Sequence, residues 1–178
     1  MLAKRVDELP AEGEWVFEPK WDGFRALVFR DGDEIFIQSR DEKPLNRYFP
    51  ELLEPLRAAL PAGCVLDGEV VIVKNDGLDF DALQLRLHPA ASRVKLLSGQ
   101  IPASFVFFDL LGLGGRDLGG EALQKRRREL GEVAWLSFTA DSSHTCNRRS
   151  EYCRRLVSPL RNCRCGLRQT RGRILRSV

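Results

Sequence analysis

Residues 25–39 read RALVFRDGDEIFIQS, and their apolar and polar side chains alternate in the way that is typical of β-strands. Residues 25–30 and 34–39 are two extended segments, and the Asp31-Gly32-Asp33 connection between them is a strong hairpin signal. This stretch therefore predicts an antiparallel β-hairpin.

The segments around this hairpin mix strand and helix patterns. Strand patterns lie at residues 15–18, 64–73 and 103–111. Helical patterns lie at residues 49–60, 79–87 and 121–133, and a glycine-rich loop is predicted at 113–120. Because strands and helices do not alternate regularly as βαβ units, the sequence favours an α+β fold with antiparallel sheets.

The overall composition narrows the class of protein. The chain has 178 residues, of which 43% are hydrophobic and 30% are charged, as is typical of a soluble globular domain. No apolar run approaches the roughly 18–20 residues that are needed to span a bilayer. The first residues lack the apolar segment of a secretory signal. We therefore expect a cytoplasmic protein with no membrane partner.

An octet before the hairpin carries a candidate nucleophile. It reads EPKWDGFR, and on an extended backbone Glu18, Lys20 and Asp22 point to one side. A deprotonated lysine can attack the α-phosphorus of a nucleotide and displace pyrophosphate, while Arg25 can hold phosphate oxygens through its planar guanidinium. The spacing alone is equally compatible with a surface strand of alternating charges.

A second pair of acids lies in the β-branched segment 64–73. Asp67 and Glu69 are two residues apart, so on a strand both side chains occupy one face. The flanking Val65, Leu66, Val70 and Val71 favour a buried strand, where a carboxylate needs a hydrogen-bonding partner or a cation. An exposed β-turn is the less favoured interpretation.

These segments together resemble the motifs of ATP-dependent DNA ligases. The octet resembles the Glu-x-Lys-x-Asp-Gly-x-Arg motif of this family, which belongs to the covalent nucleotidyltransferases with RNA ligases and mRNA capping enzymes. Three further motifs follow in the family order, namely Ser39-Arg40, Asp67-Gly68-Glu69 and Phe108-Asp109-Leu110-Leu111. The resemblance covers about residues 1–135 and is strongest to small bacterial repair ligases.

The resemblance implies a role for each motif residue. Lys20 is expected to become adenylated, with Asp22 and Gly23 in supporting positions. Asp67 is expected near the metal, together with Glu69, and the ring of Phe108 is expected to stack on adenine. The residues expected to contact the nucleotide are Glu18, Arg25, Arg40, Glu69 and Phe108.

The resemblance also implies the fold, the cofactors and the partners. It predicts an ATP-grasp-like adenylation domain with two antiparallel β-sheets flanked by helices and the nucleotide in the groove between them. The expected cofactors are ATP and Mg²⁺ or Mn²⁺, and the expected partner of the monomeric enzyme is nicked double-stranded DNA. Two alternatives stay open: an inactive ligase remnant that binds nucleotide or DNA weakly, and an RNA ligase or capping-type transferase.

The last part of the chain differs from the rest in charge. Residues 1–136 hold 18 Lys and Arg against 23 Asp and Glu, whereas residues 137–178 hold ten Arg against two acids and four of the five cysteines. We expect 1–136 to be a partial adenylation domain, incomplete at its C-terminus because the later family strands and the oligonucleotide-binding domain are not found. We expect 137–178 to be a disordered tail translated out of frame.

Codons compatible with the tail support that hypothesis. Read one base later, suitable codons for residues 144–147 give Thr-Pro-Ala-Thr, and those for 169–176 give Lys-Pro-Val-Asp-Gly-Ser-Tyr, which resemble bacterial ligases. A zinc site is disfavoured because the cysteine spacing matches no common zinc pattern. A basic nucleic-acid arm is the other alternative, since ten arginines bind phosphates without sequence preference.

Sequencing the gene across codons 130–178 tests the frameshift. We expect the shifted frame to encode ligase-like residues after a single-base change near codon 136. An unshifted gene whose codons give unrelated peptides in the other frames would contradict the hypothesis.

Overall fold

A computed structural model describes residues 4–6, 15–74, 77–88, 90–139 and 173–177, with side chains described for 20–74, 77–88 and 90–133. The strands, in chain order, are β1 (Lys4–Val6), β2 (Trp15–Pro19), β3 (Phe24–Asp31), β4 (Glu34–Ser39), β5 (Cys64–Val71), β6 (Val73–Lys74), β7 (Gly77–Leu78), β8 (Ser104–Leu113), β9 (Arg116–Asp117) and β10 (Arg173–Ser177). The helices are a 3₁₀ turn (Pro50–Leu52), α1 (Leu53–Ala59), α2 (Phe80–Leu85), α3 (Ala91–Gln100) and α4 (Leu123–Thr139).

Five antiparallel strands form the central sheet in the order β4-β3-β5-β8-β9. The predicted hairpin is confirmed as β3 and β4, which pair from Ala26 with Ser39 to Asp31 with Glu34. Gly32 opens the two-residue loop with φ of 53°, a left-handed backbone that favours glycine. A second sheet has the order β1-β10-β2, and β6 and β7 form a short ribbon.

The main core lies between the central sheet and its helices. β5 is the middle strand, and most of its side chains are buried on both faces. Leu66 and Val70 of β5, Val28 of β3 and Ile37 of β4 are all fully buried, and Phe49 packs in the same cluster. Helix α4 packs against β8, and α1 contacts both β4 and α4. The predicted α+β fold with antiparallel sheets and flanking helices is therefore confirmed.

Helix α3 and strands β1, β7 and β9 differ from the sequence predictions within the body of the chain. Helix α3 was not predicted. Only Val94 and Leu97 of its ten residues are buried, so few positions carry the apolar pattern of a helix. The predicted loop 113–120 contains the short strand β9, which pairs with the end of β8. In the part of the chain that the structure describes, no helix combines the length and the apolar character needed to cross a membrane.

The last described segment is a strand. β10 lies between β1 and β2 and pairs antiparallel with both. Helix α4 continues to Thr139, beyond the predicted boundary at 136. Residues 140–172 lie outside the described residues, and the division of the chain and the frameshift stay predictions.

We expect Gly68→Ala to lower the free energy of unfolding by about 1–3 kcal/mol. A Cβ atom on Gly68 would overlap the ring of Phe105 and the carbonyl oxygen of Val106 on β8. Gly99→Ala is the control, because no atom lies within 4 Å of a Cβ built there and alanine favours helix α3. Denaturant unfolding measures both variants. Equal stabilities of the two variants would contradict the close packing of β5 against β8.

Candidate functional site

Lys20 lies in a short connection between the two larger sheets. The connection, residues 20–23, joins the end of β2 to the start of β3. The Lys20 side chain is 40% exposed, and its Nζ atom is 3.9 Å from Oδ1 of Asp22. The amine is therefore accessible to a ligand while a carboxylate beside it restricts its position. Glu18 lies in β2, and its side chain is outside the described set.

Gly23 allows this connection to pack closely against β5. A Cβ atom at position 23 would overlap the carbonyl oxygen of Val70 and would lie 2.9 Å from Cγ1 of Val71. Any larger residue would thus push Asp22 and Lys20 away from the central sheet. The glycine of the octet has a steric role that the sequence motif alone does not explain.

Arg25 and Asp67 form a charged pair across neighbouring strands. Arg25 donates from Nε to Oδ1 of Asp67 at 3.2 Å and from Nη2 to Oδ2 at 2.6 Å. The Asp67 side chain is only 8% exposed, so this two-point contact provides the partner that its burial requires. The same contact raises the pKa of the Arg25 guanidinium.

Glu69 lies directly opposite Arg25 in the pairing of β3 and β5. Burial raises the pKa of Glu69 to about 7, although the charges of Arg25 and Lys20 act in the opposite direction. Asp67 and Asp22 reinforce the upward shift. The structure therefore brings Lys20 and Asp22 into electrostatic reach of Glu69, although Lys20 is remote from it in sequence.

Phe108 occupies a bulge in β8. Asp67 pairs with Asp109 and Gly68 pairs with Phe107, so Phe108 is the extra residue on its strand. The half-buried ring lies under Arg25, whose Cζ atom is 5.6 Å from the ring centroid. Phe105 is fully buried and Phe107 packs against the core, as the sequence predicts.

Arg40 is further out than the other predicted residues. It follows Ser39, which pairs with Ala26, so it lies at the same end of the sheet as Arg25. Its side chain is exposed. The structure thus gathers Lys20, Asp22, Arg25, Asp67, Glu69 and Phe108 into one cluster and places Arg40 at the edge of it.

The predicted metal ligands fit a nucleotide-bound ion better than a preformed site. Within residues 20–74, 77–88 and 90–133, no three His, Cys, Asp or Glu side chains are grouped to hold a metal. Both oxygens of Asp67 already accept hydrogen bonds from Arg25, which leaves Glu69 as the better-placed carboxylate. Magnesium is commonly held by one or two carboxylates together with substrate phosphates. The residues are compatible with that mode.

An open cavity of about 540 Å³ lies beside the cluster and shares Asp22 with it. Three aspartates and one lysine contribute to its walls, and its lining is Asp22, Lys74, Leu78, Asp79, Phe80 and Asp81. Asp79 also caps helix α2, because its Oδ1 accepts from the backbone amide of Ala82 at 2.8 Å. This cavity is separate from the Lys20, Glu69 and Phe108 side chains.

Two charged residues near the cluster were missed by the sequence interpretation. Asp109 and Arg126 form a buried pair behind Phe108. Asp109 lies inside the Phe-Asp-Leu-Leu motif, but the resemblance predicts a role only for its aromatic neighbour, Phe108. Arg126 lies in a run of four basic residues, Lys125 to Arg128, which is typical of a solvated helix face. Nothing in that run distinguishes the buried arginine.

Comparison with protein families gives one match over most of the chain. Residues 1–150 match the model of the ATP dependent DNA ligase domain. The matched region contains every residue of the cluster.

Two of the individual relatives are mycobacterial DNA ligases. The chain is 53% identical to DNA ligase C of Mycobacterium tuberculosis over 130 residues, which cover 73% of this chain and 36% of that protein. It is 55% identical to DNA ligase C1 of Mycolicibacterium smegmatis over 151 residues, which cover 80% of this chain and 43% of that protein. The chain thus spans less than half the length of these curated relatives.

Solved structures show the same fold. The ligase domain of Mycobacterium tuberculosis LigD matches with a TM-score of 0.57 and 33% identity over 68% of this chain and 38% of that one. A mycobacterial DNA ligase D complexed with ATP and MES matches with a TM-score of 0.56 and 33% identity over 67% of this chain and 36% of that one.

The pKa of Glu69 predicts a pH-dependent effect of Glu69→Gln. Because this pKa is about 7 in the folded protein and 4.5 ordinarily, the folded state binds more protons between these values than the unfolded state does. Wild-type stability therefore falls as the pH rises through this window. We expect the variant to have a higher Tm than the wild type at pH 8, and a difference near zero at pH 4.5.

Thermal denaturation between pH 4.5 and pH 8 measures this difference. Glu34→Gln, at an exposed position of β4, is the control for loss of a carboxylate. A difference in Tm between Glu69→Gln and wild type that stays constant over the range would contradict the raised pKa.

Proposed function

This chain belongs to the family of ATP-dependent DNA ligase domains, and from that membership we propose that it forms the covalent lysyl-AMP intermediate of a DNA ligase. The observation that carries the proposal is the cluster itself. An accessible lysine amine lies beside Asp22 and in electrostatic reach of Glu69, and an arginine over an aromatic ring completes the site. These groups match the parts of a nucleotide: phosphates, ribose and base.

Lys20 is the proposed nucleophile. Its neutral amine attacks the α-phosphorus of ATP, a nitrogen–phosphorus bond forms, and the bond to the β-phosphate oxygen breaks to release pyrophosphate. The attacking form is the neutral amine, and the proton that its nitrogen releases on bonding to phosphorus passes to water. Among the described side chains, Asp22 forms the ion pair with this amine and orients it toward the phosphate.

The remaining residues bind and orient the nucleotide. Phe108 stacks on adenine, a contact that is worth about 1–3 kcal/mol for bases on aromatic rings. Glu69 would bind the ribose or the metal ion, and Arg25 and Arg40 would bind the phosphates. The family motif implies that Glu18 also contacts the nucleotide. Glu69 and Asp67 are the residues that would hold Mg²⁺, which would neutralise phosphate charge when it is bound with the nucleotide.

The later steps use nicked double-stranded DNA. AMP passes from Lys20 to the 5′-phosphate at the nick, and the 3′-hydroxyl then displaces AMP to join the strands. The relatives named as DNA ligases and the relative complexed with ATP support DNA and ATP over RNA or another nucleotide. We propose that the protein acts as a cytoplasmic monomer.

We expect an AMP adduct on Lys20 after incubation with ATP and Mg²⁺. Intact-mass and peptide mass spectrometry measure the adduct, which should be absent in Lys20→Ala. Lys74→Ala is the matched control, because Lys74 is also an exposed lysine next to an aspartate, with Nζ 3.9 Å from Oδ2 of Asp79. That variant should keep the adduct.

Two results would contradict the proposal in different ways. An adduct that persists in Lys20→Ala would assign the chemistry to another residue. A folded wild-type chain that forms no adduct would instead favour an inactive remnant, and a thermal shift with ATP and Mg²⁺ would then show whether it still binds nucleotide.

A further inference from the structure

Behind the proposed adenine platform lies a second buried charged pair. Arg126, near the start of α4, donates from Nε to Oδ1 of Asp109 at 2.8 Å and from Nη2 to Oδ2 at 2.7 Å. Its remaining Nη1 donates to the carbonyl oxygen of Glu121. The side chains of Arg126 and Asp109 are 9% and 6% exposed. The pair thus joins helix α4 to strand β8 through two parallel hydrogen bonds.

This pair is attached directly to the bulge that carries Phe108. Asp109 follows Phe108 in sequence, and its Oδ1 also accepts from the backbone amide of Leu110 at 2.9 Å. A bulge interrupts the regular ladder, so its backbone needs contacts from elsewhere to keep one conformation. Asp109 supplies those contacts, and Arg126 holds Asp109.

The pair also stands beside the Arg25–Asp67 pair. Asp67 and Asp109 are direct partners across β5 and β8, so two buried carboxylates lie side by side. Each is neutralised by its own arginine, and Asp109 is close enough to Arg25 to raise the pKa of that guanidinium. Removing Arg126 would take away the two hydrogen bonds that the buried Asp109 carboxylate accepts from it, and removing Arg25 would do the same to Asp67.

We propose that Arg126 is a positioning residue for nucleotide binding: through Asp109 it holds the β8 bulge in the conformation that presents Phe108 to adenine. This inference rests on the proposed function, since it needs Phe108 to contact the base. Arg126 itself is buried behind the strand, so we expect it to make no direct contact with the nucleotide. Its effect should therefore appear in the affinity for ATP rather than in the chemistry at Lys20.

A buried pair elsewhere in the fold serves as a matched control. Arg86 is fully buried and contacts Glu51 at 2.6 Å and 2.8 Å, again through two parallel hydrogen bonds. It also donates to the carbonyl oxygens of Tyr48 and Ile101, away from the bulge. Arg86→Met should cost stability as Arg126→Met does, without changing the position of Phe108.

The first test is the ATP dependence of adduct formation on Lys20 in the full chain. We expect Arg126→Met to raise the KM for ATP about tenfold, the effect of a weakened base stack, while the maximal rate changes by less than about threefold. In a Phe108→Ala background, Arg126→Met should raise the KM no further. A KM in Arg126→Met equal to that of the wild type or Arg86→Met would overturn the proposal.

A second variant separates positioning from loss of stability. Asp109→Asn combined with Arg126→Met removes the buried carboxylate charge together with its arginine partner and should recover thermal stability. Because the anchor to α4 is still missing, we expect the KM for ATP to stay raised. Recovery of the wild-type KM in this double variant would overturn the proposal.

Hydrogen–deuterium exchange tests the positioning without any nucleotide. Arg126→Met should increase exchange at the amides of residues 107–111, and Arg86→Met should leave them unchanged. A wild-type chain that forms no adduct would contradict the proposed function. The exchange comparison would then still show whether Arg126 holds the backbone of the bulge in place. Unchanged exchange at 107–111 in Arg126→Met would overturn the proposal.

Discussion

The arrangement of the site depends on one buried carboxylate, Asp67, and on the arginine that neutralises it. Asp67 lies on the middle strand of the central sheet, where a lone negative charge would be strongly unfavourable. Arg25 reaches it from the neighbouring strand and so becomes fixed over the ring of Phe108. The pairing that stabilises the strand also orients two of the groups proposed to bind the nucleotide.

Close backbone packing is the second requirement. Gly23 and Gly68 are both positions where a side chain would overlap an adjacent strand. One brings the Lys20 connection against β5, and the other brings β5 against β8. The distances between Lys20, Glu69 and Phe108 therefore depend on two residues that have no chemistry of their own.

Much of this arrangement is predictable from the sequence because the signals are local. The hairpin of β3 and β4 follows from the alternation of apolar and polar residues and from a glycine turn. The position of Asp67 and Glu69 on one face of the same strand follows from their spacing. The cross-strand contacts are not predictable in that way. Neither the bulge at Phe108 nor the buried position of Arg126 has a local signature, since both depend on the register of β8 against β5 and on where α4 packs. Helix α3 is not predictable from its sequence pattern because only two of its residues are buried.

The position of β10 has a consequence for how the protein folds. This strand is taken from the far end of the described chain and inserts between two strands from its beginning. Such a pairing closes a very long loop, which is slow because much chain entropy is lost before any hydrogen bond forms. The central sheet, whose paired strands are separated by much shorter stretches of chain, can assemble first. During synthesis, strand β2, which leads into Lys20, therefore stays unpaired with β10 until β10 has been made. Until then, the edges of β1 and β2 that β10 covers are exposed to other chains.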